Sequence, residues 1–210
     1  MAGTVFVVDD DSSVRKSLTL VLGLSGHGTR AFASAEEFLA ICRPGISGCV
    51  IADIRMTGMS GLDLQTKLRE RGIGIPIIFM TAYGDTATTR AAFKGGAVDF
   101  LEKPVDEEVL LKLVTEALTR HSETEEAAAQ RKAAAQRLEL LTARERQVLD
   151  RIVAGRHNRE IAVELKISAR TVEVYKARIM AKLGVTRIPE LLKMISGLGS
   201  TAFNEAASRT

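Results

Sequence analysis

The sequence has few of the residues that mark secreted, membrane or metal-binding proteins. Its 210 residues include two cysteines, Cys42 and Cys49, which are too few for a disulfide framework and lack zinc-finger spacing. Three scattered histidines form no metal-binding set or catalytic triad. No apolar run approaches the roughly 18 residues of a membrane helix, and the N-terminus lacks a signal-peptide pattern. We therefore expect a cytoplasmic protein with reduced thiols and no membrane partner.

The sequence also lacks a large excess of one charge, since its formal net charge is only +3. That charge is uneven, because residues 1–120 carry a net −2 and residues 136–200 carry a net +6. A mildly acidic first part beside a basic last third suggests two domains, the second with nucleic acid as a partner. A charge of +6 on this length is also ordinary for a protein surface, so the distribution alone decides little.

The first 120 residues alternate strand-like and helix-like segments. Short apolar runs without polar alternation are typical of strands buried on both faces of a parallel sheet. Four such runs are Thr4–Val8, Gly48–Ala52, Ile75–Met80 and Val98–Leu101, and a weaker fifth candidate lies at Gly28–Phe32. Five successive strand–helix units predict an open, doubly wound α/β sheet over residues 4–120.

Helix signals stand between these runs. Ser34–Glu37 has the Ser-x-x-Glu pattern of a capping box. A fourth helix is predicted from Ala87 to Lys94, and Asp106 is placed to cap a fifth. Residues 121–137 contain no Gly or Pro and are rich in Ala, Glu and Gln, so we interpret them as a helical linker continuous with the fifth helix. Whether the linker pairs with a second copy is left open.

Residues 138–200 show helical patterns only and predict a small domain of four helices. Thr142–Glu145 is a second capping box, Asn158 is placed to cap the next helix, and Ser168 the one after, which Gly184 closes. The middle two helices, joined at Lys166–Ser168, have helix-turn-helix dimensions. The small, polar residues 199–210 predict a frayed tail.

Acidic residues follow two of the predicted strands. Asp9, Asp10 and Asp11 end the first strand, and Asp53 ends the third. These strands are neighbours in the flavodoxin-like order, and the carboxyl ends of the strands form the ligand crevice of such a sheet. Carboxylates at such short distances repel one another unless a cation lies between them. Hard oxygen donors with room for water suit Mg²⁺.

Two further side chains reach the same edge. Thr81 ends the fourth strand and Lys103 follows the fifth. A hydroxyl and an ammonium beside carboxylates and Mg²⁺ could hold phosphoryl oxygens while Asp53 attacks phosphorus to give an acyl phosphate. Each residue taken alone has a plainer explanation as a turn, cap or solvated side chain, and for Asp11 a helix cap is the better one. Their coincidence at one edge favours the functional interpretation.

The motifs that carry these residues resemble the receiver domain of two-component response regulators from about residue 4 to 120. They are Val7–Asp11, Asp53–Met56, Met59–Gly61, Thr81–Ala82, Lys94–Ala97 and Phe100–Pro104. The resemblance implies that a histidine kinase phosphorylates Asp53. It also implies that Asp10, Asp53 and the backbone carbonyl of Arg55 bind Mg²⁺, with Asp9 bound through water, and that Lys103 pairs with the phosphoryl oxygens.

The resemblance further implies a switch formed by Thr81 and Phe100. In the family, the threonine moves toward the phosphoryl group and the aromatic ring turns inward, which alters the surface of the fourth helix, fifth strand and fifth helix, where such proteins often dimerise. One departure stands out, because Thr57-Gly58 replaces the usual Pro after Met56. The loop thereby loses a φ restraint and gains a flexible residue.

The basic region resembles the LuxR-type helix-turn-helix from about residue 138 to 197. The motifs are Leu141–Leu149, Asn158–Ala162, Ile167–Val172 and Lys182–Gly184. The whole chain therefore resembles the NarL/FixJ class of response regulators, nearest its FixJ-like members. The expected domains are a flavodoxin-like (βα)5 receiver at 4–120, a helical linker at 121–137 and an all-α helix-turn-helix domain at 138–200.

The third helix of the basic domain is placed to enter the major groove of DNA. Lys176, Arg178 and Lys182 could contact phosphates or guanine. Glu173 could accept from cytosine and Val174 could touch a thymine methyl group. Thr171, Arg170 and Arg159 could bind phosphates. A basic helical face is often merely solvated, but here it lies within a complete four-helix motif.

The sequence thus predicts a transcription regulator, not an enzyme, in which phosphorylated Asp53 promotes homodimerisation and operator binding. An activating role follows from analogy with FixJ-like relatives. One alternative is a DNA-binding regulator whose receiver no longer switches. Another is a Mg²⁺-dependent phosphotransfer or hydrolase enzyme in which the basic part only docks, although no substrate pocket beyond Asp53 is evident.

Overall fold

The computed structural model describes residues 3–82, 90, 92 and 94–208, with the backbone alone from residue 199 onward. The chain divides into two compact units, one up to Glu125 and one from Glu126. Within the described ranges, every helix is too short or too polar to cross a membrane.

The first unit is built on a parallel sheet with strand order β2-β1-β3-β4-β5. Its strands are β1 (Thr4–Val8), β2 (Thr29–Phe32), β3 (Gly48–Asp53), β4 (Ile77–Thr81) and β5 (Asp99–Glu102). The doubly wound, flavodoxin-like order predicted from the sequence is confirmed. The fourth strand begins at Ile77 and not at Ile75, because Pro76 has no N–H to donate to the sheet.

The structure describes four helices of this unit. They are α1 (Ser12–Leu24), α2 (Ala35–Ile41), α3 (Gly61–Glu70) and α4 (Glu107–Glu139). Of these, α1, α2 and α4 begin at predicted caps, whereas the cap of α3, Ser60, was not predicted. The carboxylate of Asp11 accepts from the Ser13 N–H at 2.7 Å, and that of Asp106 accepts from the Val109 N–H at 3.0 Å. The 33-residue α4 contains both the fifth predicted helix and the predicted linker, which are continuous as expected. The fourth predicted helix, Ala87 to Lys94, lies largely outside the described residues.

Alternate residues of the strands supply two apolar layers, one on each face of the sheet. In β1, Phe6 and Val8 pack into one layer with Phe38 of α2, whereas Val5 and Val7 pack into the other. The second layer also contains side chains from α1 and α4. Burying each large side chain contributes roughly 1.5–3 kcal/mol. These two layers fix the strands and therefore the positions of the residues that follow them.

The second unit contains the end of α4 and four helices around one apolar cluster. The helices are α5 (Ala143–Val153), α6 (Asn158–Leu165), α7 (Ala169–Leu183) and α8 (Ile188–Ser208). The Thr142 capping box forms in both directions, Ser168 caps α7, and Gly184 ends that helix with a φ of 69°. Lys166–Ser168 joins α6 to α7, which confirms the predicted helix-turn-helix.

Two local predictions in this unit are wrong. Asn158 is the first residue of α6 and not its cap, which is His157. The reason is that the Glu160 carboxylate reaches back to the His157 N–H at 2.7 Å and fixes the helix start one residue earlier. The predicted frayed tail is helical to Ser208. Residues 199–208 contain no proline and include three alanines, so α8 can continue through them.

Candidate functional site

The carboxyl ends of four strands bring the predicted acceptor residues to one edge of the sheet. β1 and β3 pair directly, so Asp9 and Asp53 lie side by side where these strands end. Thr81 ends β4 on the other side of β3 and is buried, with 3% of its surface exposed. Lys103 follows β5, and its backbone N–H donates to the Thr81 carbonyl at 2.8 Å. The fold thus produces the convergence that the motif spacing predicts.

Lys103 bridges the two carboxylates of this edge. Its ammonium donates to Asp9 Oδ2 at 2.8 Å and to Asp53 Oδ2 at 2.5 Å. The Asp9 side chain is fully buried and that of Asp53 is 13% exposed. Burial acts to lower the pKa of Lys103, but the hydrogen bonds and charges of Asp53 and Asp9 outweigh it and raise the pKa. The repulsion between Asp9 and Asp53 is therefore relieved by a cation belonging to the chain itself.

The third carboxylate, Asp10, is exposed and has a different partner. Its Oδ2 accepts from the Thr57 N–H at 2.7 Å and from the Thr57 hydroxyl at 2.8 Å. The N–H and then the hydroxyl of Thr57 hold the pKa of Asp10 below its usual range, so this carboxylate is ionised at neutral pH. The residue that departs from the family pattern therefore contacts a predicted Mg²⁺ ligand.

The loop after β3 is held by further side chains. The Arg55 N–H donates to Asp53 Oδ1 at 3.0 Å, and the Met59 N–H donates to Glu36 Oε1 at 3.0 Å. Gly58 has a φ of 84°, which favours glycine. The expected loss of restraint at Thr57-Gly58 is thus offset by hydrogen bonds that the loop makes to Asp10, Asp53 and Glu36.

The donor chemistry of the site fits Mg²⁺ with few protein ligands. Nowhere in the described ranges do three Asp, Glu, His or Cys side chains converge closely enough to hold a metal ion by themselves. The predicted set does not require this, because Asp10 and Asp53 would supply one carboxylate each, Arg55 would supply a backbone carbonyl, and Asp9 would act through water. Mg²⁺ commonly binds through one or two carboxylates and keeps several waters.

The predicted switch residues share one face of the sheet. Phe100 pairs with Phe79 across β4 and β5, and Thr81 lies two residues beyond Phe79. Residues two apart in a strand point to the same face. Phe100 is half-buried and packs against the layer that contains Phe79. Thr81 and Phe100 are therefore on the same side of the sheet.

The second unit presents one continuous face of α7. Arg170, Glu173, Val174 and Arg178 are exposed, and their successive spacings of three, one and four residues place them on one side of this helix. Arg159, on α6, is also exposed. The opposite side of α7 is buried through Val172, Ile179 and Leu183. This is the geometry of a helix that packs on one side and can contact a groove with the other.

Three other predicted DNA contacts have partners within the unit. The Thr171 and Ser168 hydroxyls lie 2.8 Å apart, and the Lys176 ammonium donates to Asn158 Oδ1 at 3.1 Å. Lys182 donates to Glu145 Oε2 at 2.7 Å and to the Leu140 carbonyl at 3.0 Å. These contacts give the three residues a structural role, and their contact with DNA stays a prediction.

Glu145 explains the position of Lys182. Its side chain is 4% exposed and also accepts from the Thr142 N–H at 2.8 Å. Burial acts to raise the pKa of Glu145, but the hydrogen bonds from Lys182 and Thr142 outweigh it and lower the pKa. Lys182 therefore pairs with the buried carboxylate that caps α5.

Sequence reasoning missed two features of these sites. The first is the contact between Thr57 and Asp10, which are 47 positions apart. The signal was the replacement of proline, which restores a backbone N–H. The second is the pair Ala177 and Ala181, exposed on the same side of α7 as Arg170 and Arg178. Their periodic spacing could have placed them there, and their small side chains leave room for close approach.

Two families match the two units of the chain. The response regulator receiver domain matches residues 5–115. The luxR family of bacterial regulatory proteins matches residues 139–195. The chain belongs to the response regulators. This response regulator is a transcriptional regulator with a receiver domain and a LuxR-type DNA-binding domain, and it is not an enzyme.

The regions that align with similar proteins cover nearly the whole response regulator. The transcriptional regulatory protein TdiR of Thauera aromatica is 43% identical over 194 residues, which cover 92% of this chain and 86% of TdiR. The transcriptional regulatory protein FixJ of Azorhizobium caulinodans is 42% identical over 190 residues, covering 90% of each protein. The solved structure of the response regulator StyR has a TM-score of 0.84 at 41% identity and covers 93% of this chain and 99% of that one.

Proposed function

We propose that a histidine kinase phosphorylates Asp53 and that the phosphorylated chain dimerises and binds operator DNA as a transcriptional activator. The observation that supports this most directly is the bridge from Lys103 to Asp53 and Asp9 at the edge of the sheet. It places an acceptor oxygen beside a fixed positive charge. A cytoplasmic location stays a prediction.

The transfer is a substitution at phosphorus. An oxygen of the Asp53 carboxylate forms a bond to phosphorus as the phosphorus–nitrogen bond of a phosphohistidine breaks. The departing imidazole nitrogen keeps the bonding electron pair, and the product on Asp53 is an acyl phosphate. The Lys103 ammonium turns from the carboxylates to the phosphoryl oxygens and balances their charge. Asp10, Asp53 and the Arg55 carbonyl would hold Mg²⁺, whose positive charge would offset further negative charge on the phosphoryl group.

The response to phosphorylation passes through the face of the sheet that holds Thr81 and Phe100. The Thr81 hydroxyl is placed to move toward the new phosphoryl group, and Phe100 can turn into the space this leaves. Such a change shifts the receiver between two populations, one of which dimerises. A dimer presents two copies of α7 to half-sites about 10 bp apart.

The proposed DNA contacts come from the exposed face of α7, from three half-buried side chains of the same helix, and from Arg159 of α6. Arg178, Lys176 and Lys182 contact phosphates or guanine, and Glu173 accepts from cytosine. Val174 contacts a thymine methyl group. Thr171, Arg170 and Arg159 bind phosphates.

The first test is phosphorylation of the full chain by a small-molecule phosphodonor with Mg²⁺, followed by intact-protein mass spectrometry. The wild type should gain one acid-labile phosphoryl group, and Asp53→Asn should gain none. The matched control is Asp63→Asn, an exposed aspartate in the first turn of α3, which should be phosphorylated like the wild type. Equal labelling of Asp53→Asn would show that Asp53 is not the acceptor.

A further inference from the structure

We propose that Thr57 is a positioning residue for Mg²⁺, because it fixes the Asp10 carboxylate through its backbone N–H and its hydroxyl. This inference rests on the proposed Mg²⁺ site. It assigns a role to the position at which the chain departs from the family pattern, where Thr57 stands in place of proline.

The two hydrogen bonds to Asp10 end on the same oxygen. Thr57 N–H and Oγ1 donate to Asp10 Oδ2 at 2.7 and 2.8 Å. A carboxylate has two oxygens, so this arrangement leaves Oδ1 to bind metal while Oδ2 stays hydrogen-bonded. Asp10 is exposed, and without these donors its side chain would have to be ordered when metal binds.

The loop that carries Thr57 also reaches the other proposed ligands. Arg55, two residues earlier, donates its N–H to Asp53 Oδ1 at 3.0 Å and supplies the proposed carbonyl ligand. The loop is held on its far side by Glu36, which accepts from the Met59 N–H. Asp10, Asp53 and Arg55 are therefore connected through one short loop, and Thr57 is the residue that joins Asp10 to it.

Hydrogen bonds from outside the ligand set orient metal-binding carboxylates, and their loss typically weakens metal affinity by about 10- to 100-fold. Proline at position 57 could make neither bond, since it has no N–H and no hydroxyl. Valine keeps the shape and the N–H but removes the hydroxyl. Serine keeps both donors. These three replacements separate the contributions of the two bonds.

The test is the Mg²⁺ dissociation constant of the full chain, measured by isothermal titration calorimetry without phosphodonor. Thr57→Pro should weaken binding by on the order of tenfold, Thr57→Val by a smaller factor, and Thr57→Ser should bind like the wild type. The matched control is Thr115→Val, an exposed threonine of α4 whose hydroxyl donates to the Leu111 carbonyl of the same helix. Thr57 is exposed, so Thr57→Val and Thr57→Ser should melt like the wild type in EDTA.

Unchanged or tighter Mg²⁺ binding by Thr57→Val and Thr57→Pro would overturn the inference. An equal loss in Thr57→Ser and Thr57→Val would also overturn it, because serine keeps both donors. Failure of the wild type itself to bind Mg²⁺ would instead reject the proposed metal site, and the inference with it.

Discussion

At the scale of single residues, Lys103 and Lys182 have the same electrostatic role in the two units. Each donates to a carboxylate that is almost or completely buried, Asp9 in one case and Glu145 in the other. A buried carboxylate without a partner carries a large desolvation cost. The two lysines are therefore structural counter-charges as well as candidate functional groups.

The first residue-scale prediction concerns Lys103→Met. This change should lower the free energy of unfolding of the first unit by about 3–5 kcal/mol at neutral pH, because the buried Asp9 carboxylate loses its charged partner. The measurement is urea unfolding of the full chain. Lys67→Met is the matched control, since Lys67 pairs with Glu70 on the surface and should cost less than about 1 kcal/mol. Similar losses in both variants would contradict the account.

The second residue-scale prediction concerns the pH dependence of the pair between Lys182 and Glu145. The pKa of Glu145 is held below its usual 4.5 in the fold. The stability that this carboxylate contributes is therefore present above pH 4.5 and is lost as the pH falls through the lowered value. Lys182→Met should destabilise the second unit by about 1–3 kcal/mol at neutral pH, and by less in acid.

The pH prediction is checked by urea unfolding of the wild type and Lys182→Met over a series of pH values. The difference between the two should shrink as Glu145 becomes protonated. A difference that stays constant from neutral to acidic pH would mean that Lys182 stabilises the unit through packing and not through its charge.

The residue contacts at the acceptor site were only partly predictable. The motif spacing placed Asp9, Asp53, Thr81 and Lys103 at one edge, because parallel strands end together. It could not show that Lys103 bridges two carboxylates while Asp10 turns to Thr57. Those contacts join positions 94, 50 and 47 residues apart, and they depend on side-chain packing in the folded sheet.

At the scale of elements, helix starts were predicted best where one local hydrogen bond decides them. Asp11, Thr142 and Ser168 cap their helices as their sequence patterns predict. The prediction failed at α6, where Asn158 and His157 compete and Glu160 decides in favour of His157. The predicted starts of the strands were less exact. At β4 a single residue again decides the start, because Pro76 has no backbone N–H to donate to the sheet.

The element-scale prediction concerns the exposed face of α7. Arg178→Ala should weaken binding to a DNA duplex selected from a random pool by about 1–3 kcal/mol if Arg178 contacts guanine. If it contacts phosphate, binding should weaken on all duplexes and the salt slope should fall by about one. Fluorescence anisotropy at several salt concentrations distinguishes the two cases.

The control for Arg178 is Lys132→Ala, which removes the same charge from an exposed position of α4. That variant should bind DNA like the wild type. If Arg178→Ala and Lys132→Ala bind DNA equally well, α7 does not contact DNA through Arg178. The DNA interface would then lie on another surface.

At the scale of the whole molecule, the chain combines a receiver unit and a DNA-binding unit, and the 33-residue α4 runs through the division between them. The sequence predicted this organisation because composition changes sharply after residue 120. It could not predict where a compact unit ends, since a helix rich in Ala, Glu and Gln continues through the boundary without a local break.

Control of the oligomeric state by phosphorylated Asp53 is the central claim, and sedimentation velocity tests it most directly. The full chain should sediment as a monomer alone or with Mg²⁺, and as a dimer when both Mg²⁺ and beryllofluoride, a phosphoryl mimic, are present. Asp53→Asn should stay monomeric under all conditions. A chain that is already a dimer without the mimic, or that stays a monomer with it, would contradict the account.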